Sequence, residues 1–200
     1  MAALEVPELI VADAAAFRSW LQEHHDASEG VWLVMAKKGV TDPTSLTYAE
    51  AVDEALCHGW IDGQRRSRDD TTFSNRFTPR RPKSPWSQRN VGIVARLIAE
   101  GRMHPAGRVE IDRAQADGRW DAAYSGQANA VVPPDLEAAL AADAAATAMW
   151  GVLTAANRYA IIYRLESAKQ AATRARRLEQ FVAMLARGET IHPQKQGPPV

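Results

Sequence analysis

One cysteine in 200 residues, Cys57, excludes an intramolecular disulfide and any zinc site built from several thiolates. No stretch approaches the roughly 18 apolar residues that read as a membrane-spanning helix. The nearest candidate, residues 136–153, is mostly alanine and is interrupted by Asp143. The first seventeen residues contain no lysine or arginine, and Glu5, Glu8 and Asp13 break their apolar character. A secretory signal needs a basic start and an unbroken apolar core, so a cytoplasmic protein is expected. Net charge is also missing, with 24 basic and 24 acidic side chains. That balance, without a recognised binding module, argues against nucleic acid as a partner.

What is present suits one ordinary globular domain, or a main domain with a helical appendage. Charge is unevenly spread along it. Residues 1–63 carry 3 basic and 11 acidic groups, residues 64–119 carry 13 and 6, and residues 120–200 carry 8 and 7. The acidic and basic stretches can neutralise one another in the fold, or the basic stretch can meet an anionic partner.

The amino-terminal part alternates strand and helix signals. Residues 8–11 predict an edge strand, and Asp13 caps a helix running to about His25 with Phe17, Trp20 and Leu21 inward. Val31-Trp32-Leu33-Val34-Met35 reads as a buried strand through Lys37. Thr47-Tyr48-Ala49-Glu50 is a capping box, and Gly59 is placed to end the helix it opens. Trp60 to Gly63 and the alternating Phe73 to Phe77 segment predict paired strands. Ser84-Pro85 predicts the start of a helix to Glu100, with serine at N-cap and proline at N1. Pro105 opens a further helix that Gly118 closes.

Beyond Gln127 the pattern is helical. Pro133-Pro134-Asp135 opens one helix, Asp143 caps another, and Asn157 is placed to cap a long final stretch that Gly188 ends. A break near Ser167 is left open by the pattern, and the tail from His192 is expected to be mobile. The predicted fold is α+β: a small antiparallel sheet with helices over residues 1–125, followed by a helical module over 133–190 packed on it.

Three segments carry a family resemblance. They are Leu56-Cys57-His58-Gly59-Trp60-Ile61-Asp62-Gly63, the run from Arg76 through Arg80-Arg81-Pro82-Lys83-Ser84-Pro85-Trp86 to Asn90, and Ala168-Lys169 followed by Thr173-Arg174-Ala175-Arg176-Arg177. With Gly118-Arg119-Trp120 and Val132-Pro133-Pro134-Asp135-Leu136 between them, they resemble the bacteriocin-protection YdeI/OmpD-associated family along nearly the whole chain. Where that family usually has an aromatic after the cysteine, this chain has His58. The resemblance implies a role in protection against bacteriocins or antimicrobial peptides, or in stress response, and brings no catalytic residues with it.

The run from Arg76 to Asn90 carries the main chemical expectation. Arg80, Arg81 and Lys83 crowd the predicted helix start, where the helix dipole is positive and cations are unfavourable by about 0.3–1 kcal/mol each. Compensation can come from a bound anion held by Arg76, Arg80, Arg81, Ser84, Trp86, Ser87 and Asn90. It can equally come from internal carboxylates, with Asp62 the nearest candidate. Asp62 is thus either the counter-ion of an arginine or a functional carboxylate. Cys57 reads as a small core residue, because neighbouring side chains on a helix diverge by about 100° and His58 cannot serve it as a base. His58 is expected to be a partly exposed helix-end residue. His24 and His25 diverge in the same way, so no metal site is expected. Arg174 and Arg177 share a face that reads as solvated.

The expected function is therefore binding of an anionic small molecule at a basic cleft, without a cofactor. The alternatives are an enzyme acting on a phosphorylated or carboxylated small molecule at the same cleft, and an interaction module using the carboxy-terminal helices. Nothing in the sequence fixes an oligomeric state.

Overall fold

The computed structural model describes residues 6–195. The chain divides into two compact units, Met1–Ala123 and Tyr124–Val200.

Among its described residues the first unit contains a four-stranded sheet and four helices. Its elements are β1 (Glu8–Leu9), α1 (Ala14–His24), β2 (Val31–Ala36), α2 (Tyr48–Cys57), β3 (Trp60–Ser67), β4 (Thr72–Pro79), α3 (Gln88–Ala99) and α4 (Pro105–Ala116). Strand order is β1-β2-β4-β3. The sheet is mixed where an antiparallel one was expected: β1 runs parallel to β2, while the β2–β4 and β3–β4 pairs are antiparallel. The parallel pair follows from α1, which carries the chain back to the end of the sheet where β1 began.

Alternation on β2 and β4 divides the sheet into two faces. Val31 pairs with Phe77, Leu33 with Asn75 and Met35 with Phe73, and the apolar members of this set enter the core. Phe17 meets Phe77 edge to face at 6.0 Å, and Trp20 meets Trp60 likewise at 5.7 Å, which seats α1 against the sheet. Trp32 pairs with Arg76 on the opposite face.

Local signals explain the helix ends. Asp13 caps α1 through the Ala16 N–H, and the Thr47–Glu50 box caps α2. Gly59, at φ +76°, turns the chain from α2 into β3. Ser84 does not start α3. The Ser84 and Pro85 carbonyls accept from the Arg119 and Arg80 guanidinium groups. Ser84 instead closes a turn, its N–H donating to the Arg81 carbonyl and its hydroxyl accepting from the Arg81 N–H. The cap is Ser87, whose hydroxyl accepts from the Asn90 N–H at 3.1 Å.

The second unit is helical: a short 3-10 turn (Gln127–Asn129), α5 (Pro134–Ala141), α6 (Ala144–Val152), α7 (Ala155–Glu166) and α8 (Ala171–Ala186). Its own core gathers Leu136, Met149, Ile161, Leu165 and Leu185. The final stretch is broken after Glu166, with Ser167 as C-cap of α7. Thr154 caps α7 in place of Asn157, which is buried and ties down the following tail instead. Its amide donates to the His192 carbonyl and to Gln194, and its carbonyl accepts from the His192 N–H. The expected mobile tail is therefore anchored over 192–194; residues 196–200 lie outside the described residues. Arg174 is not simply solvated, since it grips Asp135 with two bonds of 2.7 and 2.8 Å. No helix among the described residues is long and apolar enough to cross a membrane.

Candidate functional site

At one end of the sheet β1 and β2 begin and β4 finishes. There β4 leaves its partners and delivers Arg76, Thr78, Pro79, Arg80 and Arg81 in quick succession. Together with Val6, Pro7, Ser28, Glu29, Gly30 and Pro82 they line a cavity of about 650 Å³. A second, smaller recess of about 200 Å³ lies beside it, and Arg76, Thr78, Pro79 and Arg81 border both. Ile61, Gly63, Gln64 and Ser84 complete the smaller recess.

Local structure sets each wall. The strand period that sends Phe77 into the core sends Arg76 and Thr78 to the other face. Gly30 has φ +139°, and a Cβ there would stand 2.8 Å from the Phe77 carbonyl oxygen and from Thr78 Cγ2. Only glycine lets the 28–30 loop lie so close to β4.

The three arginines differ in their surroundings. Arg80 is buried, its guanidinium 3.5 Å from the centroid of the Trp86 ring and donating to the Pro85 carbonyl. Trp86 in turn packs against Trp120 at 4.9 Å. Arg76 is half-buried, and its Nε is enclosed without a hydrogen-bond partner. Arg81 is exposed. Among the described residues neither Arg76 nor Arg81 forms an ion pair, whereas Arg18, Arg66, Arg68, Arg96, Arg102, Arg113, Arg119, Arg174 and Arg187 all do.

The remaining residues singled out from sequence lie elsewhere. Asp62 is not seen as a counter-ion of Arg80; it accepts a 2.7 Å bond from the Tyr48 hydroxyl. Burial and that bond push the Tyr48 pKa up to about 12, so the phenol stays a donor. Trp86 is buried and backs Arg80, while Ser87 and Asn90 form the start of α3. Because α3 begins at Gln88, Arg80, Arg81 and Lys83 precede its first turn, and the expected crowding of these cations on its dipole does not occur.

Cys57 is buried, and desolvation raises its thiol to about 11, which removes it as a nucleophile at neutral pH. His58 is buried rather than partly exposed. Its ring stacks on His104 at 4.8 Å, and His25 meets His104 at 4.8 Å and His58 at 5.8 Å. Burial lowers the His58 pKa, and His104 and His25 lower it further. The Nδ1 atoms of His25 and His58 face the Leu21 and Glu54 carbonyls, so each must carry its proton there. Among the described residues no group of three or more His, Cys, Asp or Glu is arranged to hold a metal ion.

Sequence reasoning missed two features. The cavity's far wall, Val6, Pro7 and Ser28–Gly30, comes from segments remote in sequence, and Gly30, which the sequence reading passed over, is the residue that could have pointed to a close backbone approach. Glu54 is the second: 2% exposed, it accepts from Arg18 at 2.6 Å and Arg102 at 2.7 Å. A glutamate at a core-facing helical position was its only trace.

No curated protein and no solved structure matches the chain. Two family models do. Residues 9–110 match a domain of unknown function (DUF8412), and residues 129–188 match the family described as Bacteriocin-protection, YdeI or OmpD-Associated. The second match is confined to the helical unit, whereas the motifs suggested a resemblance along nearly the whole chain. The segments 56–63 and 76–90, and with them the cavity's arginines, fall inside the first match. The chain therefore belongs to the DUF8412 family through residues 9–110 and carries a YdeI/OmpD-associated domain over residues 129–188.

Proposed function

We propose that the protein binds an anionic small molecule in the cavity at the end of β4, and that it serves a protective role through this binding. One observation carries the proposal. Arg76, Arg80 and Arg81 converge on one cavity, and Arg76 and Arg81 have no carboxylate partner among the described residues. An unpaired guanidinium that lines a recess offers forked donors suited to phosphate or carboxylate. The cavity volume lies within the range of about 300–1,000 Å³ common to small-molecule sites. The description of the family matched by residues 129–188 supports the protective role. Binding is favoured over turnover, because no polarised nucleophile or acid–base pair lines the cavity among the described residues.

Differential thermal stability tests the proposal. Millimolar phosphate should raise the melting temperature of the wild type more than that of Arg81→Ala, relative to chloride of equal ionic strength. Arg81 is exposed, so its removal leaves the core intact. A bound ligand stabilises the native state by mass action, and general salt effects cancel between the two proteins. Equal shifts in both would refute an anion site.

A further inference from the structure

The cavity is not uniformly basic. Glu29 lines it together with Arg76, Arg80 and Arg81. It is exposed, and among the described residues it has no ion-pair partner. It lies on the 28–30 loop, which Gly30 holds tightly against β4, so its backbone position is fixed relative to the arginines. Several carboxylates elsewhere in the first unit are matched to arginines, among them Asp53 and Glu100 to Arg96, Glu54 to Arg18 and Arg102, and Glu8 to Arg66 and Arg68. In the cavity the two signs share one recess and remain apart. Uncoupled opposite charges in a common pocket recognise a ligand that carries both.

We infer that the cavity takes a zwitterionic ligand, with a phosphate or carboxylate at Arg76 and Arg81 and a cationic amine at Glu29. This rests on the anion site proposed above and specifies its ligand class. Val6, Pro7, Pro79 and Pro82 supply apolar wall for the short carbon chain between the two charges. The smaller recess shares Arg76, Arg81 and Thr78 and adds the Ser84 hydroxyl, which suits it to the oxygens of the anionic end.

Isothermal titration at low ionic strength separates the possibilities. The probes are phosphoethanolamine, ethyl phosphate, which lacks the amine, and inorganic phosphate. In the wild type, phosphoethanolamine should bind about two- to fivefold tighter than ethyl phosphate, the scale of one solvent-exposed ion pair. In Glu29→Gln the two should bind equally, and inorganic phosphate should bind no more weakly than to the wild type. Equal affinity of the two organic phosphates for the wild type would overturn the zwitterion and leave the anion site standing. No binding of any of the three would overturn both. Vesicles of phosphatidylethanolamine identify the source of the headgroup. Co-sedimentation that Glu29→Gln weakens by the same factor, about two- to fivefold, assigns the same chemistry to a lipid. Its absence, with soluble phosphoethanolamine bound, assigns a free ligand.

Discussion

Replacing two helical glycines by alanine should shift stability in opposite directions, although helix propensity treats them alike. Gly92 lies inside α3, is exposed, and has nothing within 4 Å of a Cβ placed on it. Gly92→Ala should stabilise the protein by about 0.5–1 kcal/mol, the ordinary gain from removing glycine from a helix interior. Gly107 lies inside α4, where a Cβ would stand 2.2 Å from the Cys57 carbonyl oxygen and 2.8 Å from its carbon. Met103 could swing aside, but the carbonyl cannot. Relief requires moving α4 off the end of α2, which strains the packing by about 1–3 kcal/mol. It also endangers the bond from the His104 N–H to the same carbonyl, worth about 1 kcal/mol. Set against the propensity gain, Gly107→Ala should be about 2–3 kcal/mol less stable than the wild type. Urea unfolding followed by tryptophan fluorescence reports mainly on the first unit, because Trp20, Trp32, Trp60, Trp86 and Trp120 lie there and only Trp150 lies in the second. The slope with urea should stay constant so that midpoints convert to free energies. A neutral or stabilising Gly107→Ala would refute the close approach of α4 to Cys57.

Three further outcomes are expected. Glu54→Gln should lower stability by about 2–3 kcal/mol in chemical denaturation, less than a fully buried pair, because Arg18 and Arg102 can turn to water once released. Stability should fall as pH drops below about 6.5, the ordinary histidine value: His58 and His104 are held below it in the fold, so the unfolded chain takes up more protons. That stability is complete above the unfolded value and is lost as pH falls toward the folded one, and His58→Gln should flatten the profile measured between pH 5 and 7. Asn157→Ala should speed hydrogen exchange at the His192 amide by about tenfold or more, corresponding to the loss of a buried hydrogen bond of about 1.4 kcal/mol; unchanged protection would show that the tail is held by something else.

Much of the fold was legible because local rules and tertiary demands agree. Asp13, the Thr47–Glu50 box, Gly59, Pro105 and Asp143 each mark an element end that the structure keeps. Ser84-Pro85 failed for a physical reason. Its local signal for a helix start is sound, but Ser84 closes a turn back to Arg81, its carbonyl accepts from the distant Arg119, and the equally good cap Ser87 starts the helix instead. Asn157 failed similarly, since Thr154 caps α7 and the asparagine is more useful holding a tail 35 residues away. Of the candidate site, the arginines were legible as a cluster, and three of them reach one cavity. The pairing of Asp62 with Tyr48 was not, because a partner fourteen residues away on a helix leaves no spacing signal. The far wall and Glu29 were equally hidden, since sheet topology alone brings them to β4.

A phosphate titration followed at the arginine side chains by nuclear magnetic resonance addresses the central claim most directly. The Arg76 Nε–H is enclosed and without a protein acceptor, so a bound anion should move its resonance strongly. The account predicts saturable shifts at that group and at the backbone amides of Thr78, Arg80 and Arg81, absent with chloride at equal ionic strength. Shifts that never saturate, or that scatter over exposed basic residues while the Arg76 side chain stays still, would contradict it.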